Sequence, residues 1–235
     1  MTTPPVIAAD PLAALAPPVR WLLERAALDD AALAQVNPRI SLDELCARLM
    51  QSEQVPAAIK LIAGVLPARE SVWWAWVSAR HASQMAGGAA PSAAEHAALV
   101  AVERWIVRPE DDARRAAWDA GNAAGLDTII GMVTAAVFLN GATIAPPNVA
   151  NVPPPPGAAM PLIAGVVERS AATTTAPEQI APTLAAFAAQ GLEILKRLGG
   201  WEAALQLAYD THQRQMQDYA RATAPAGAPA SAPSR

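Results

Sequence analysis

The side chains best suited to specific recognition are concentrated in one segment, residues 66–80, which contains three of the seven tryptophans. Trp73, Trp76 and Arg80 recur at helical spacing and share one face, whereas Trp74 lies about 100° away around the same helix. Trp and Arg are favoured anchors of protein interfaces. The pattern indicates a surface that recognises another protein or, because Trp mostly buries its area, a core helix in which Trp supplies bulk among Ala-rich neighbours.

Charged residues in and near this segment raise an alternative, a small enzyme with a diffuse polar site formed by Arg69, Glu70, Arg80 and Glu103. Arg69 and Glu70 also suit a local salt bridge near a helix N-terminus. No serine or threonine lies in a nucleophile-elbow pattern, and no Gly-rich phosphate loop follows a strand. We therefore expect no enzymatic activity and no catalytic residues, with the diffuse polar site as the alternative.

The sulfur and imidazole groups do not form a metal-binding pattern. None of His81, His96 and His212 lies in a zinc-type motif. Cys46, the one cysteine, recurs with leucines at helical spacing, which predicts a small buried hydrophobic side chain. A single cysteine forms neither an internal disulfide nor a thiolate metal cluster. We expect no bound metal, no cofactor and a reducing, cytoplasmic location.

Composition narrows the classes of partner. The chain has 235 residues, of which 53% are hydrophobic and 16% charged, so it can bury a sizeable core. The net charge is −4 and no basic block is present, so neither nucleic acid nor an anionic membrane surface is an expected partner. No positive side chain precedes Arg20, so we expect no secretory signal.

The longest apolar stretch, residues 128–139, predicts a buried core helix and no membrane insertion. It is shorter than the roughly 20 residues that a membrane-spanning helix needs. Asp127 is expected to cap this helix at its start. Asn140-Gly141 is expected to end it in a left-handed turn.

Helical signals occur along the whole chain, and alternating strand patterns are hard to find. Pro17 suits the first turn of a helix. Ser41 with Glu44, and likewise Ser92 with Glu95, form capping-box patterns that open helices. Other helices are predicted over residues 42–52, 55–65, 67–86, 159–172, 177–198 and 201–221.

We predict an all-α fold, a single irregular bundle of about 8 to 10 helices. Residues 1–16 form an irregular N-terminal arm and residues 17–199 the helical domain. Within that domain the proline-rich residues 146–157 read as an extended connector. The remaining segments are a C-terminal amphipathic helix over 200–221 and a disordered tail over 222–235.

The C-terminal helix carries an apolar side that includes Trp201, Tyr209, Met216 and Tyr219, opposite a side rich in Glu and Gln. This pattern has two interpretations. The helix folds back onto its own body, or it docks into a groove of another protein.

Several motifs make the chain resemble an uncharacterised bacterial family over residues 40–199. They are Leu66-Pro-x-Arg-Glu-x-Val-Trp-Trp, Glu103-Arg-Trp105, Ala123-Ala-Gly-Leu-Asp127, Phe138-x-x-Gly141 leading to Ala145-Pro-Pro, and Gln190-Gly-Leu-Glu-Ile. The family is a domain of unknown function that is loosely associated with type VI secretion proteins. The resemblance implies the helical fold, a bacterial cytoplasm and a secretion-linked accessory role, and it brings no catalytic residues.

We therefore expect a non-enzymatic adaptor or chaperone-like accessory protein that binds another protein, either a secretion component or an effector. A self-associating structural or regulatory helical protein is the alternative, and formation of a homo-oligomer is compatible with the sequence. The predicted partner-binding residues are Arg69, Glu70, Trp73, Trp74, Arg80, Trp201, Tyr209, Met216 and Tyr219.

Overall fold

The computed structural model describes residues 12–85, 91–173 and 176–224, and these residues contain helices and no strand. The predicted all-α fold is confirmed. In chain order the helices are α1 (Pro17–Ala26), α2 (Asp30–Leu33), α3 (Leu42–Gln51), α4 (Val55–Val65), α5 (Ala68–Met85), α6 (Ala93–Val107), α7 (Asp111–Ala124), α8 (Ile129–Leu139), α9 (Ala159–Ala172), α10 (Ile180–Arg197) and α11 (Gly200–Thr223). A 3₁₀ turn over Pro177–Gln179 precedes α10.

The helix count within the described residues exceeds the prediction because of α2, a four-residue turn that the sequence pattern did not reveal. Asp29 caps this turn by accepting a hydrogen bond from the Ala32 N–H at 2.9 Å. The predicted C-terminal tail, from residue 225 onward, and residues 1–11 of the predicted N-terminal arm lie outside the described residues.

Local capping signals start two helices as predicted. The Ser41 hydroxyl accepts from the Glu44 backbone N–H at 3.1 Å and opens α3. Ser92 and Glu95 form a complete capping box at the start of α6, since each side chain accepts from the backbone N–H of the other residue. Such caps satisfy backbone donors that the first helical turn leaves unpaired.

The apolar helix α8 lies in the core as predicted, but Asp127 does not cap it. Thr128 adopts the extended backbone of an N-cap, and its hydroxyl accepts from the Gly131 N–H at 3.0 Å. Val133 and Val137 are almost completely buried. Among the described residues, no helix combines the length and apolarity that crossing a bilayer requires.

The end of α8 also differs from the prediction. Gly141 does not take a left-handed conformation. It lies against Arg114 of α7, and a Cβ atom at Gly141 would overlap the guanidinium group. Arg114 is 2% exposed and donates to the carbonyl of Phe138 at 2.8 Å and to the carbonyl of Thr143 at 2.9 Å. Glycine is therefore needed at 141 for space around the buried cation.

One hydrophobic core contains residues from both sides of the proline-rich segment. It includes Ile62 of α4, Val137 of α8 and Ile163 of α9. Helix α9 packs against α4, α5 and α8, so the helices that follow the prolines complete the core begun by those before them.

The proline-rich segment is a folded-back loop instead of the predicted extended connector. The Ile144 N–H donates to the Val152 carbonyl at 2.8 Å, and the Val152 N–H donates to the Thr143 hydroxyl at 3.0 Å. These bonds join residues that are eight or nine positions apart. The loop therefore returns to the body close to the point where it left the body. The prolines at 153–156 come after this return and lie just before the start of α9.

Candidate binding clefts beneath the C-terminal helix

Helix α11 is attached to the body through its first half. Trp201, Ala204 and Leu205 are at most 9% exposed, and the helix contacts α1, α4 and α10. Tyr209 packs edge-on against Trp21 of α1, with ring centroids 5.6 Å apart. Of the two interpretations that the amphipathic pattern left open, docking on its own body holds for this half of the helix.

From Gln213 onward, α11 extends past the contact surface that holds its first half. Residues 213–218 and 220–224 are exposed, and Tyr219 is partly covered. Met216 keeps 46% of its surface accessible. At 1.5 Å per residue this distal part, residues 213–223, is about 16 Å long. The same helix thus has an anchored half and a half that presents side chains to its surroundings.

Two adjoining clefts open between α11 and the body. The first, called the Arg25 cleft, has a volume of about 220 Å³ and lies between α1, α4, α9 and α11. Within the described part of the chain, no aspartate or glutamate lines it. Its polar lining includes Arg25, Asn140, Thr211, His212 and Gln215.

A cation and two aromatic rings form one wall of the Arg25 cleft. The Arg25 Cζ atom lies 5.7 Å from the ring centroid of Trp21, and the His212 ring centroid lies 5.3 Å from that of Trp21. Arg25 Nη1 donates to the carbonyl of Pro156 at 3.4 Å, a long hydrogen bond. Gly157 has a φ of +72°, which favours glycine, and a Cβ atom there would overlap the guanidinium group unless the Arg25 side chain moved.

Polar atoms in this wall lack hydrogen-bond partners. Trp21 Nε1 and His212 Nδ1 are buried and bond to no other described residue. Burial, with a smaller effect of the nearby Arg25 charge, lowers the pKa of His212. Burial also lowers the pKa of Arg25. Since buried polar groups in folded proteins are nearly all paired, an unpaired set at the edge of an opening indicates a place for a ligand or for water.

The second opening, called the proline cleft, has a volume of about 710 Å³. One wall is the proline-rich loop, and the other is the distal half of α11. The lining of the proline cleft includes Pro153, Pro154, Pro155, Gln215, Asp218 and Arg221. Arg221 and Asp218 form an ion pair on the α11 side, one turn apart. The two clefts share Gly157 and Gln215, so they are continuous.

The tryptophans predicted as partner contacts are mostly part of the core. Trp74 is completely buried, and its indole N–H donates to the Phe187 carbonyl at 2.9 Å. Trp76 is 8% exposed, and its indole N–H donates to the Leu99 carbonyl at 3.0 Å. Trp73 is 37% exposed. The fold therefore withdraws Trp74 from any partner and leaves only Trp73 of this group at the surface, which favours the core interpretation of the segment.

The four charged residues of the alternative enzyme site do not share a pocket. Arg80 and Glu103 line a shallow cleft of about 390 Å³, which neither Arg69 nor Glu70 lines. Arg69 instead donates to the Ile106 carbonyl at 2.7 Å and ties the start of α5 to the end of α6. The predicted salt bridge between Arg69 and Glu70 does not form, and the Arg69 Nε–H is bonded to this carbonyl instead.

Cys46 and His81 contribute to the packing of the fold. Cys46 is buried as predicted, and burial, followed by the charge of Asp43, raises its pKa to about 12. Its thiol is therefore protonated and a poor nucleophile at neutral pH. His81 packs edge-on against Phe187 at 5.4 Å. In the described ranges, no group of three or more His, Cys, Asp or Glu residues is placed to hold a metal ion.

The sequence pointed to α11, but none of the predicted partner-binding residues lines either cleft. Tyr209, Met216 and Tyr219 were predicted contacts and lie on α11, whereas Trp201 is buried beneath its first turn. Arg25 and Gly157 were not predicted. Their signals are present in the sequence but weak. Arg25 follows Trp21 by four positions on the same helical face, and Gly157 ends the proline run.

Residues 45–195 match a family of unknown function, DUF6931, and because this region is more than half of the chain, the chain belongs to that family. No curated protein and no solved structure matches the chain. The family region runs from within α3 to near the end of α10. It supplies the proline-rich loop, whereas α11, which lines both clefts, and α1, which lines the Arg25 cleft, lie outside it.

Proposed function

We propose that this member of DUF6931 is a non-enzymatic adaptor or chaperone-like accessory protein that binds another protein through the distal half of α11 and the proline cleft. The observation that carries the proposal is the extension of α11 past the body. An isolated helix shorter than about 12 to 15 residues is marginal in water. Residues 213–223 are held helical by continuity with the docked half, so a partner meets a preformed element and the ordering cost on binding is small.

The surface of the distal half has the composition of a non-obligate interface. Met216 and Tyr219 lie on one side of the helix, and Asp218 and Arg221 lie on the side that lines the proline cleft. Interfaces of this class usually combine apolar and polar side chains. An amphipathic segment of the partner would contact α11 on one side and the prolines of the loop on the other, as in helix-in-groove recognition.

The placement of the charged residues supports a binding role over the enzyme alternative. Arg69 and Glu70 lie outside the cleft that Arg80 and Glu103 line. The Cys46 thiol is buried. The polar atoms that are buried without partners in the cleft region belong to Trp21 and His212. The two hydroxyl groups that line the Arg25 cleft bond to other residues, since Ser71 donates to the Ala68 carbonyl and Thr211 accepts from Arg214.

The class of partner to test first follows from the resemblance noted in the sequence. Proteins of type VI secretion are loosely associated with the resembled family, so a secretion component or an effector is the first candidate. A role of this kind requires a surface that a helical or extended segment can enter, and the proline cleft has that shape.

Two truncations test the adaptor proposal. The first ends at His212, so that it removes the distal half of α11 but keeps Trp201 and Leu205 in the core. The second ends at Ala224, so that it removes only the residues beyond the helix. Each is purified with an affinity tag from the native host, and the co-purifying proteins are quantified by mass spectrometry. We expect a partner that the full chain and the Ala224 version retain and the His212 version loses.

A partner that both truncations retain would contradict the proposed contact surface, and the absence of any specific partner of the full chain would contradict the adaptor function. Circular dichroism and urea unfolding check that the His212 version keeps the folded body. Light scattering addresses the alternative of self-association. A stable homo-oligomer that needs residues 213–224 and captures no other protein would replace the adaptor by a self-associating helical protein.

A further inference from the structure

Arg25 is a half-buried cation without a counter-ion. Among the described residues no carboxylate forms an ion pair with it, and its one hydrogen bond is the long contact to the Pro156 carbonyl. A guanidinium group carries five N–H donors, so most of the donors of Arg25 are unused. A partly desolvated charge that lacks compensation attracts an anion strongly when an opening lies beside it.

The α11 wall of the Arg25 cleft adds neutral hydrogen-bond donors. The Thr211 hydroxyl accepts a hydrogen bond from Arg214 Nη2 at 3.0 Å, which leaves its own proton free to donate into the cleft. The side-chain amide of Gln215 lines the same cleft and bonds to no described residue. Donors therefore face the opening from the helix opposite the cation, and the lining residues that the structure describes include no aspartate or glutamate that would repel an anion.

Most of the remaining lining of the Arg25 cleft is apolar. Leu66, Met160 and Ile163 contribute to it, and Ile163 is 1% exposed. The volume of about 220 Å³ corresponds to roughly seven water molecules at their volume in the liquid. A phosphate would fill only part of this space and would bring two negative charges to one cation. A carboxylate matches the planar fork of a single arginine and carries one charge.

We propose that the Arg25 cleft binds a small carboxylate with an apolar body of on the order of seven non-hydrogen atoms in all. The carboxylate bonds to the Arg25 guanidinium and to the donors of Thr211 and Gln215. The apolar body lies against Met160 and Ile163. This inference goes beyond the adaptor function, since it holds whether or not the distal half of α11 contacts another protein.

Such a carboxylate has two sources, a free short-chain acid or the C-terminal carboxylate of a peptide. The Arg25 cleft continues into the proline cleft through Gly157 and Gln215. A peptide that lies along the proline cleft therefore reaches Arg25 with its last residue. The chemistry at Arg25 is the same in both cases, and the experiment below separates them.

The test is calorimetric titration of the full chain with hexanoate, with hexanamide as its neutral analogue, and with inorganic phosphate. Hexanamide keeps the shape and the apolar body but loses the charge. We expect hexanoate to bind, hexanamide to bind at least about tenfold more weakly, since a charge-assisted hydrogen bond is lost, and phosphate to bind more weakly than hexanoate. In NMR spectra, hexanoate should shift the His212 imidazole signals and leave those of the exposed His96 unchanged.

Three variants test whether Arg25 is the residue that binds the carboxylate. Arg25→Gln removes the charge and should weaken hexanoate binding about tenfold or more. Arg25→Lys restores a point charge without the fork and should recover part of the affinity. Arg80→Gln is the matched control, because Arg80 also lies over a tryptophan ring, that of Trp76 at 4.7 Å, and it should bind hexanoate as the unaltered chain does.

Equal binding of hexanoate and hexanamide, unaltered binding by Arg25→Gln, or no binding of any probe would overturn the proposal. Phosphate binding as tight as that of hexanoate would overturn the apolar part of it. If Arg25→Gln loses helicity by circular dichroism, the comparison of hexanoate with hexanamide on the unaltered chain decides whether binding depends on the carboxylate. The tripeptide Ala-Ala-Leu, with a free or an amidated terminus, identifies the source. Tighter binding of the free form than of hexanoate supports a peptide terminus, and the reverse supports a free acid.

Discussion

Arg114 and Arg25 both lie over aromatic rings, and their surroundings differ in almost every other respect. Arg114 lies over Phe138, with Cζ 4.7 Å from the ring centroid. It is 2% exposed and bonds to Asp111 through both Nε and Nη2, at 2.8 and 2.6 Å. Its other contacts are carbonyl oxygens. Arg25 lies over Trp21 and has a single long hydrogen bond.

The difference separates a cation that builds the fold from one that is available to a ligand. Arg114 joins α7 to the end of α8 and to the loop that follows, and it makes four hydrogen bonds to the chain itself. Arg25 keeps most of its donors and faces an opening. The same residue type on the same kind of ring thus serves two purposes, and the hydrogen-bond partners of the guanidinium group distinguish them.

The largest expected effect is on stability. It comes from replacing each of the two arginines by methionine, which keeps much of the length of the side chain and removes its hydrogen-bond donors. Arg114→Met removes the hydrogen bonds to the buried Phe138 carbonyl and the part-buried Thr143 carbonyl and should lower the free energy of unfolding by about 3 kcal/mol. Arg25→Met removes a charge that the chain does not compensate and should change it by less than about 1 kcal/mol. Urea unfolding of both variants measures the difference.

Equal losses of stability in the two variants would contradict the distinction between them, because Arg25 would then be part of the fold to the same extent as Arg114. A normal unfolding slope with denaturant in both variants is the control, since it shows that the surface exposed on unfolding is unchanged.

An intermediate effect is expected from the glycines that lie against the two cations. A Cβ atom at Gly141 overlaps Arg114, which is locked by four hydrogen bonds, so Gly141→Ala should cost about 2 kcal/mol through overpacking. A Cβ atom at Gly157 overlaps Arg25, whose side chain is free to move away. Gly157→Ala should therefore cost only about 1 kcal/mol, from the positive φ.

Thermal and urea unfolding rank these two substitutions. A larger loss for Gly157→Ala than for Gly141→Ala would mean that Arg25 is held as firmly as Arg114. The Gly157→Ala variant has a second use. The displaced guanidinium should bind hexanoate more weakly even though the fold is nearly unchanged.

The smallest expected effect is a pH dependence that differs between the two regions. The pKa of His212, beside Arg25, is lowered from its ordinary value of 6.5 by burial and by the Arg25 charge. The folded chain therefore favours the neutral imidazole. The stability that this group contributes is complete above pH 6.5 and declines as the pH falls below it. Because the group is only partly buried, the change is a fraction of 1 kcal/mol.

The corresponding group beside Arg114 titrates in a more acidic range. Hydrogen bonds from Arg115 and then Arg114 lower the pKa of Asp111 from its ordinary value of 3.8, so its contribution is present above pH 3.8 and is lost as the pH falls further. Unfolding free energies measured between pH 3 and 8 should show both declines. His212→Phe should remove the decline that begins at pH 6.5, and Asp111→Asn should remove the decline that begins at pH 3.8. Any other assignment of the two declines would be inconsistent with these contacts.

Local features of the fold were predictable from the sequence. The bounds of α4 and α9 agree with the predicted helices. The capping box at Ser92 forms as the sequence indicates, and at Ser41 the hydroxyl caps the helix without the reciprocal bond to Glu44. These signals depend on residues three or four positions apart, which helical geometry brings together without any tertiary contact. The burial of Cys46 follows from the same periodicity.

The parts that were missed depend on contacts between distant residues. Helical spacing shows that Trp73 and Trp74 face different directions, but packing against α10 decides that Trp74 is the buried one, through a carbonyl 113 positions away. The role of Gly141 follows from Arg114, which lies on another helix. The Arg25 cleft likewise forms only when α1, α9 and α11 meet, so the lack of a partner for Arg25 has no signature along the chain.

The measurement that tests the adaptor function most directly is photo-crosslinking from single positions. A photoreactive phenylalanine derivative replaces Met216 on the distal half of α11, and the control carries it at Val107 on α6, which is 66% exposed. After irradiation in the native host, adducts are resolved by gel and identified by mass spectrometry. We predict one discrete adduct with another protein from position 216 and none from position 107. No adduct from position 216, or the same adducts from both positions, would contradict the proposed contact surface.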